Sequence, residues 1–233
     1  MSRGVLLGMI DLHPEGAADA PSLSILGVDP AMWIAERLGQ APSLDLLCVA
    51  APAAAGAARA AALARRLGTQ LLARASGAGL RERCLEAARA AGASVIVHAG
   101  VDAPLVDPGL VEEMARAAAG GVAGALASAI NLTPGLGVRV FTTDWLEGGP
   151  GSPISRLAGD AALEEWPVPR VLARPDLRLL LETEADQSVL EHLFEELGEG
   201  RAPRSEQAVE YLAAHPGIAS LNRPARVAVA RAA

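Results

Sequence analysis

Short apolar runs alternate along the chain with longer segments whose apolar positions recur at helical spacing. Val5 to Met9, Asp45 to Ala50, Gln70 to Ala73 and Val95 to Val97 read as strands, and Val138 to Thr142 as a further, β-branched and aromatic one. Ala123 to Ile130 and Leu177 to Leu181 read as two more, and Ser24 to Val28 as a short extended piece. Between them lie helical patterns over Ala31 to Leu38, Pro52 to Leu67, Leu80 to Ala91 and Pro108 to Ala119. A short helix begins at Thr143, and longer ones cover Glu184 to Leu197 and Ser205 to His215. Punctuation supports these limits: Asp29-Pro30 and Asp107-Pro108 pair an N-cap with a proline at the first helical position, and Gly68, Gly92 and Gly120 follow helix ends. Strands alternating with helices predict an α/β architecture on a mostly parallel sheet.

The stretch Ser94 to Leu110 sits at the centre of this pattern. Val95, Ile96 and Val97 are the β-branched run of a buried strand, His98 to Val101 lead out of it, and Asp107 opens the next helix. Asp102 therefore lies between the carboxyl end of a buried strand and a helix. Ligands of open α/β sheets bind just outside that end, and an aspartate bonding its own turn is the competing reading.

Composition narrows the function classes. The chain has 233 residues, 51% hydrophobic and 20% charged, which suits a folded domain. We expect one domain over 1–233, with an irregular segment 147–176 assigned to dimerisation. A formal net charge of −7 argues against a nucleic-acid surface, and no apolar run approaches the roughly 20 residues of a membrane span. The N-terminus reads as a first strand and not a signal peptide, giving a cytoplasmic expectation. Cys48 and Cys84 have no metal-ligand or disulfide spacing and read as core residues. All 20 basic residues are arginine, so no step can depend on a lysine ammonium.

The order of motifs resembles the cytidylyltransferase family, the CMP-sugar synthetases for acylneuraminate and Kdo sugars, and particularly its spore-coat polysaccharide branch. Leu63 to Gly68, Ala73 to Ser76 and Leu80 to Ala88 resemble the family's region after the second strand. Val95 to Leu110 resembles its metal-site motif, a hydrophobic run, Gly-Asp-x-Pro-Leu, then Asp-Pro. Pro134 to Phe141 resembles its substrate-side strand, Pro175 to Asp186 its late strand and acidic turn, and Tyr211 to Gly217 with Asn222 the end of the spore-coat branch. The resemblance covers nearly the whole chain and implies a three-layer α/β/α sandwich, nucleotide-diphospho-sugar transferase-like and often dimeric. It implies Mg²⁺-dependent transfer of a nucleotide from CTP to an acidic sugar, with Asp102 and Glu182 as metal ligands. Asn131, Arg139 and Arg74 are the substrate-binding candidates. His98 and His13 are secondary candidates; a core or rim histidine and a solvated loop residue are their plainer readings. Trp33, Trp145 and Trp166 read as packing groups.

The front of the chain departs from the family. Where the family carries Ala-Arg-x-x-Ser-x-Arg-Leu-Pro-x-Lys, residues 8–23 contain neither Arg nor Lys, and hold Asp11, Glu15 and Asp19. Carboxylates there repel a triphosphate, and His13 offers little charge at neutral pH. Further on, a family Gly-Gly-Lys-Pro is Gly27-Val28-Asp29-Pro30. Glu182 replaces the family's second aspartate, which moves the charge by one methylene. Three readings follow: a cytidylyltransferase with weakened or lost CTP binding, a catalytically silent homologue that binds a sugar or partner enzyme, and a glycosyltransferase-like activity on the same fold.

Overall fold

The computed structural model describes residues 4–12, 23–51, 57–73, 79–148 and 163–223. In chain order the elements are β1 (Val5–Asp11), α1 (Pro30–Leu38), β2 (Leu46–Ala51), α2 (Ala57–Leu67), β3 (Gln70–Ala73), α3 (Leu80–Ala91), β4 (Ala93–Gly100) and α4 (Pro108–Ala119). They continue with β5 (Ala125–Ser128), β6 (Arg139–Thr142), α5 (Thr143–Glu147), β7 (Glu164–Trp166), α6 (Glu184–Leu197), α7 (Ser205–Ala214) and α8 (Pro216–Ala219). The strands form one sheet in the order β3-β2-β1-β4-β6-β5-β7. β1, β2, β3 and β4 pair in parallel, as do β5 and β7; β6 is antiparallel to both its neighbours.

Strand periodicity divides the core. In β1, Leu6 and Ile10 join the larger cluster with α1, α2, α4, α6 and α7. Leu7 and Met9 face the other way, into a smaller cluster with α3 and α5. Helices on both faces give the expected α/β/α sandwich, and explain why β4 reads as a continuous apolar run and not an alternating one. Each fully buried Leu or Ile contributes about 1.5–3 kcal/mol.

The helix starts follow their sequence signals. Asp29 accepts from the Ala31 amide at 3.0 Å and Asp107 from the Leu110 amide at 2.9 Å, each followed by a proline in the first turn. Thr183 and Asp186 form a capping box at the start of α6. Gly92 closes α3 in the left-handed region, φ 62°.

Three expectations change. Leu177 to Leu181 is not a strand. Leu177, Leu179 and Leu181 are buried in strand-like alternation, but the backbone binds loops and not a ladder: the Leu179 amide donates to the Pro134 carbonyl and the Leu181 amide to the Asp102 carbonyl, both at 2.8 Å. The alanine-rich strand is confined to Ala125–Ser128. The region expected to be irregular contributes β7, beyond β5 at the sheet edge. Much of the proposed dimerisation segment lies outside the described residues.

Candidate functional site

The carboxyl ends of β1 and β4 meet the start of the reversed strand β6, and a cavity of about 270 Å³ opens there. Its lining includes His98, Gly100, Asp102, Thr133, Gly135 and Arg139. The topology dictates this gathering. β1 and β4 run side by side with Asp11 opposite Gly100, and β6 runs back along β4 with Arg139 opposite His98.

Two loops complete the wall. The Asp102 loop is tied to the Leu181 segment through its carbonyl, as above, and the Val101 amide donates to the Asp11 carbonyl at 3.0 Å. The loop after β5 is held by Thr133, whose hydroxyl and amide both donate to the Leu172 carbonyl, at 2.8 and 2.9 Å. Gly135 adopts φ 98°, and a Cβ there would collide with the Leu179 carbonyl group. Only glycine combines that backbone conformation with that approach.

Behind the cavity lies a buried polar cluster. Asp11 ends β1 on the face covered by α3 and is 1% exposed. Its Oδ2 accepts from Arg83 Nη2 at 2.6 Å and from Arg83 Nε at 3.0 Å, and lies 3.1 Å from His98 Nε2. Arg83 comes from α3 and His98 from β4. Cys48 and Cys84 lie on the same face of the sheet. Burial, with the Asp11 charge second, pushes the Cys48 thiol up to about 12 and raises Cys84 as well. Both are neutral at physiological pH, so neither is an activated nucleophile.

The sequence candidates separate accordingly. Asp102 and Arg139 line the cavity. Glu182 follows the Leu181 amide that binds the Asp102 loop, so its backbone is adjacent, but its carboxylate is exposed and accepts from Arg178 Nη2. Asn131 is exposed in the turn beyond β5 and is not among the cavity's lining residues. Arg74 and His13 fall outside the described residues. Arg37, a cation that could have entered the site, is buried elsewhere: Nε donates to the Val106 carbonyl at 2.9 Å and Nη2 to the Ser205 hydroxyl. Sequence reasoning missed the Asp11–Arg83 pair. Asp11 reads as a loop charge, and Arg83 sits on a helix face where nothing nearby in sequence marks it.

No group of three or more His, Cys, Asp or Glu side chains converges to hold a metal among the described residues. The donor set fits a divalent cation in one way: Asp102 as a single carboxylate, with waters and substrate phosphates completing the shell, as is usual for Mg²⁺. No described helix is long and apolar enough to cross a membrane.

No protein-family model matches the sequence, and no curated protein matches it. Solved structures do. A cytidylyltransferase from Leptospira borgpetersenii superposes with a TM-score of 0.78 at 18% identity, covering 97% of this chain and 99% of that one. A CMP:2-keto-3-deoxy-manno-octonic acid synthetase complexed with CTP gives 0.59 at 13% identity, covering 84% and 99%. A Mycobacterium tuberculosis protein in complex with manganese gives 0.54 at 16% identity, covering 81% and 98%. The sheet order, the reversed strand and the cavity at the strand ends thus belong to a chain with the α/β nucleotidyltransferase-like fold of the cytidylyltransferases.

Proposed function

We propose that this chain is a single-domain member of the cytidylyltransferase family, of the spore-coat branch, acting in nucleotide-sugar or surface-glycan metabolism with weakened or lost CTP binding. The observation that carries the reading is the position of Asp102. It stands in the cavity at the carboxyl end of β4, beside the segment that bears Glu182. In the reaction this implies, a hydroxyl of an acidic sugar attacks the α-phosphorus of CTP. A new P–O bond forms, the bond to the β-phosphate oxygen breaks, pyrophosphate leaves, and the hydroxyl proton passes to a base or water. A divalent cation, when bound, neutralises charge developing on the phosphate oxygens. Asp102 would hold it, joined by Glu182 if Arg178 releases that carboxylate.

On the sugar side, Arg139 places a guanidinium on the cavity wall among the described residues. The weakened nucleotide affinity is supported by the cation-free residues 8–23 and by a cavity of about 270 Å³, just below the roughly 300 Å³ at which small-molecule sites begin.

A silent homologue that binds a sugar or a protein partner is the second reading, favoured by the engagement of Glu182 with Arg178. Isothermal titration with CTP, with and without Mg²⁺, separates the two. Weak, metal-dependent binding that disappears in Asp102→Ala is expected. No binding of any nucleoside triphosphate at millimolar concentration transfers the case to the silent homologue.

A further inference from the structure

The turn that carries Asp102 closes on Gly100, the last residue of β4, whose carbonyl accepts from the Ala103 amide at 3.1 Å. Gly100 is not one of the glycines with a positive φ, so its backbone does not ask for glycine, and a glycine within a strand is unfavourable by itself. A neighbouring side chain does ask for it. Asp102 folds back over the strand end, and a Cβ on Gly100 would lie 2.3 Å from its Oδ1 and 3.5 Å from its Cγ. Apart from the adjoining residues of the chain, no other described atom comes within 4 Å of that point. Gly135 is the opposite case, where a positive φ and a nearby backbone carbonyl both require glycine. Gly100 and Asp102 both line the cavity.

We propose that Gly100 is a positioning residue for Asp102: the space where its side chain would stand is the seat of the carboxylate and fixes where that charge lies in the cavity. A methyl group at position 100 drives Oδ1 back from 2.3 Å to at least the roughly 3.0 Å of the shortest real Cβ contacts. A site keeps its function only while its groups stay within about 0.5 Å of their working positions, so that retreat is large enough for a ligand to register. The fold registers it little, because the atom that moves is the tip of one side chain. The inference deepens the reading of Asp102 as the holder of a divalent cation, and rests on it. Such a cation takes oxygen ligands in a strict geometry, and a residue that orients a ligand affects metal affinity almost as much as the ligand does.

The test is a double-mutant cycle of Gly100→Ala and Asp102→Ala, read by thermal melting and by Mn²⁺ binding, followed through water-proton relaxation. The quantity of interest is the part of the Mn²⁺ binding that Asp102→Ala removes. Gly100→Ala should weaken that part about ten- to hundred-fold while moving the melting temperature by no more than about 2–4 °C. In the Asp102→Ala background the same substitution should change Mn²⁺ binding no further, because the oxygen it displaces is gone. A folded Gly100→Ala that binds Mn²⁺ as wild type does would overturn the proposal. So would a further loss of binding in the Asp102→Ala background. If Gly100→Ala alone does not fold, the double variant decides: folded, it shows that the Asp102 carboxylate is what requires glycine; unfolded, it shows that something else does and overturns the proposal. Wild type with no Asp102-dependent Mn²⁺ binding would sink the cation-holding reading instead. A crystal structure of Gly100→Ala then decides the seat, which a displaced Asp102 carboxylate upholds and an unmoved one overturns.

Discussion

Among the described residues, two aspartates are each 1% exposed and each paired with an arginine, and they do different work. Asp186 lies in the first turn of α6. It accepts from Arg178 Nε at 2.8 Å, from the Glu182 and Thr183 amides at 3.1 and 3.0 Å, from the Thr183 hydroxyl at 2.9 Å and from the Asn222 amide nitrogen at 3.0 Å. Most of those donors lie within eight residues, and their job is to cap a helix and tie residues 178–183 and Asn222 to it. Asp11 draws its arginine and histidine from 72 and 87 residues away, and its cluster abuts a cavity. One aspartate closes a joint local in sequence, and the other ties α3 and β4 to the end of β1 beside the cavity wall. The difference lies in what surrounds the pair and not in the pair itself.

The largest effect expected on this contrast is at the joint. Asp186→Ala leaves Arg178 without its buried partner and strips the cap, and should cost about 3–5 kcal/mol in chemical denaturation. Asp11→Asn should cost less, about 1–3 kcal/mol, because an amide of the same shape still accepts from Arg83. Equal losses from the two would erase the distinction. Gly135→Ala should cost about 2–3 kcal/mol through its positive φ and the collision with Leu179. It should also weaken any ligand that depends on the Asp102 loop, since the braced Leu177–Leu181 segment would be pushed away.

Acid titration sharpens the comparison further. Burial alone would raise the Asp186 carboxyl, but the bonds from Arg178, Thr183 and the Glu182 amide outweigh it and hold the group below the usual carboxylate range. The folded value is therefore lower than the unfolded one of about 3.9. The stabilisation is present in full above that unfolded value and is lost as pH falls through the folded one. Asp186→Asn should flatten the acid limb of the stability curve measured by thermal melting. The smallest effect belongs to the exposed pair Arg89–Glu147, 68% and 47% exposed; Glu147→Gln should change stability by no more than about 0.5 kcal/mol.

Much of the fold was legible because its signals are local. Apolar runs, Asp-Pro helix starts and terminal glycines set most element limits to within a few residues. Leu177–Leu181 was misread because period-two burial also describes an extended segment packed on loops; what makes a strand is the partner of its backbone amides. Asp102 could be located because a strand end, a turn and a helix cap lie within a dozen residues of one another. Arg139 came from resemblance, and the reversed pairing of β6 with β4 accounts for its place on the cavity wall.

The sequence by itself determined the α/β alternation, the absence of lysine, the cation-free segment 8–23 and the place of Asp102 after a buried strand, because each depends on neighbouring residues or on counting. Only the tertiary structure decided that Asp11 is a buried acceptor and not a loop charge, that Arg83 bonds it, that Glu182 is engaged by Arg178, and that Arg37 is buried against Val106 and Ser205. Those outcomes depend on which strand lies beside which and on which helix covers them. Side chains 72 or 87 residues apart become neighbours only once the sheet order is fixed.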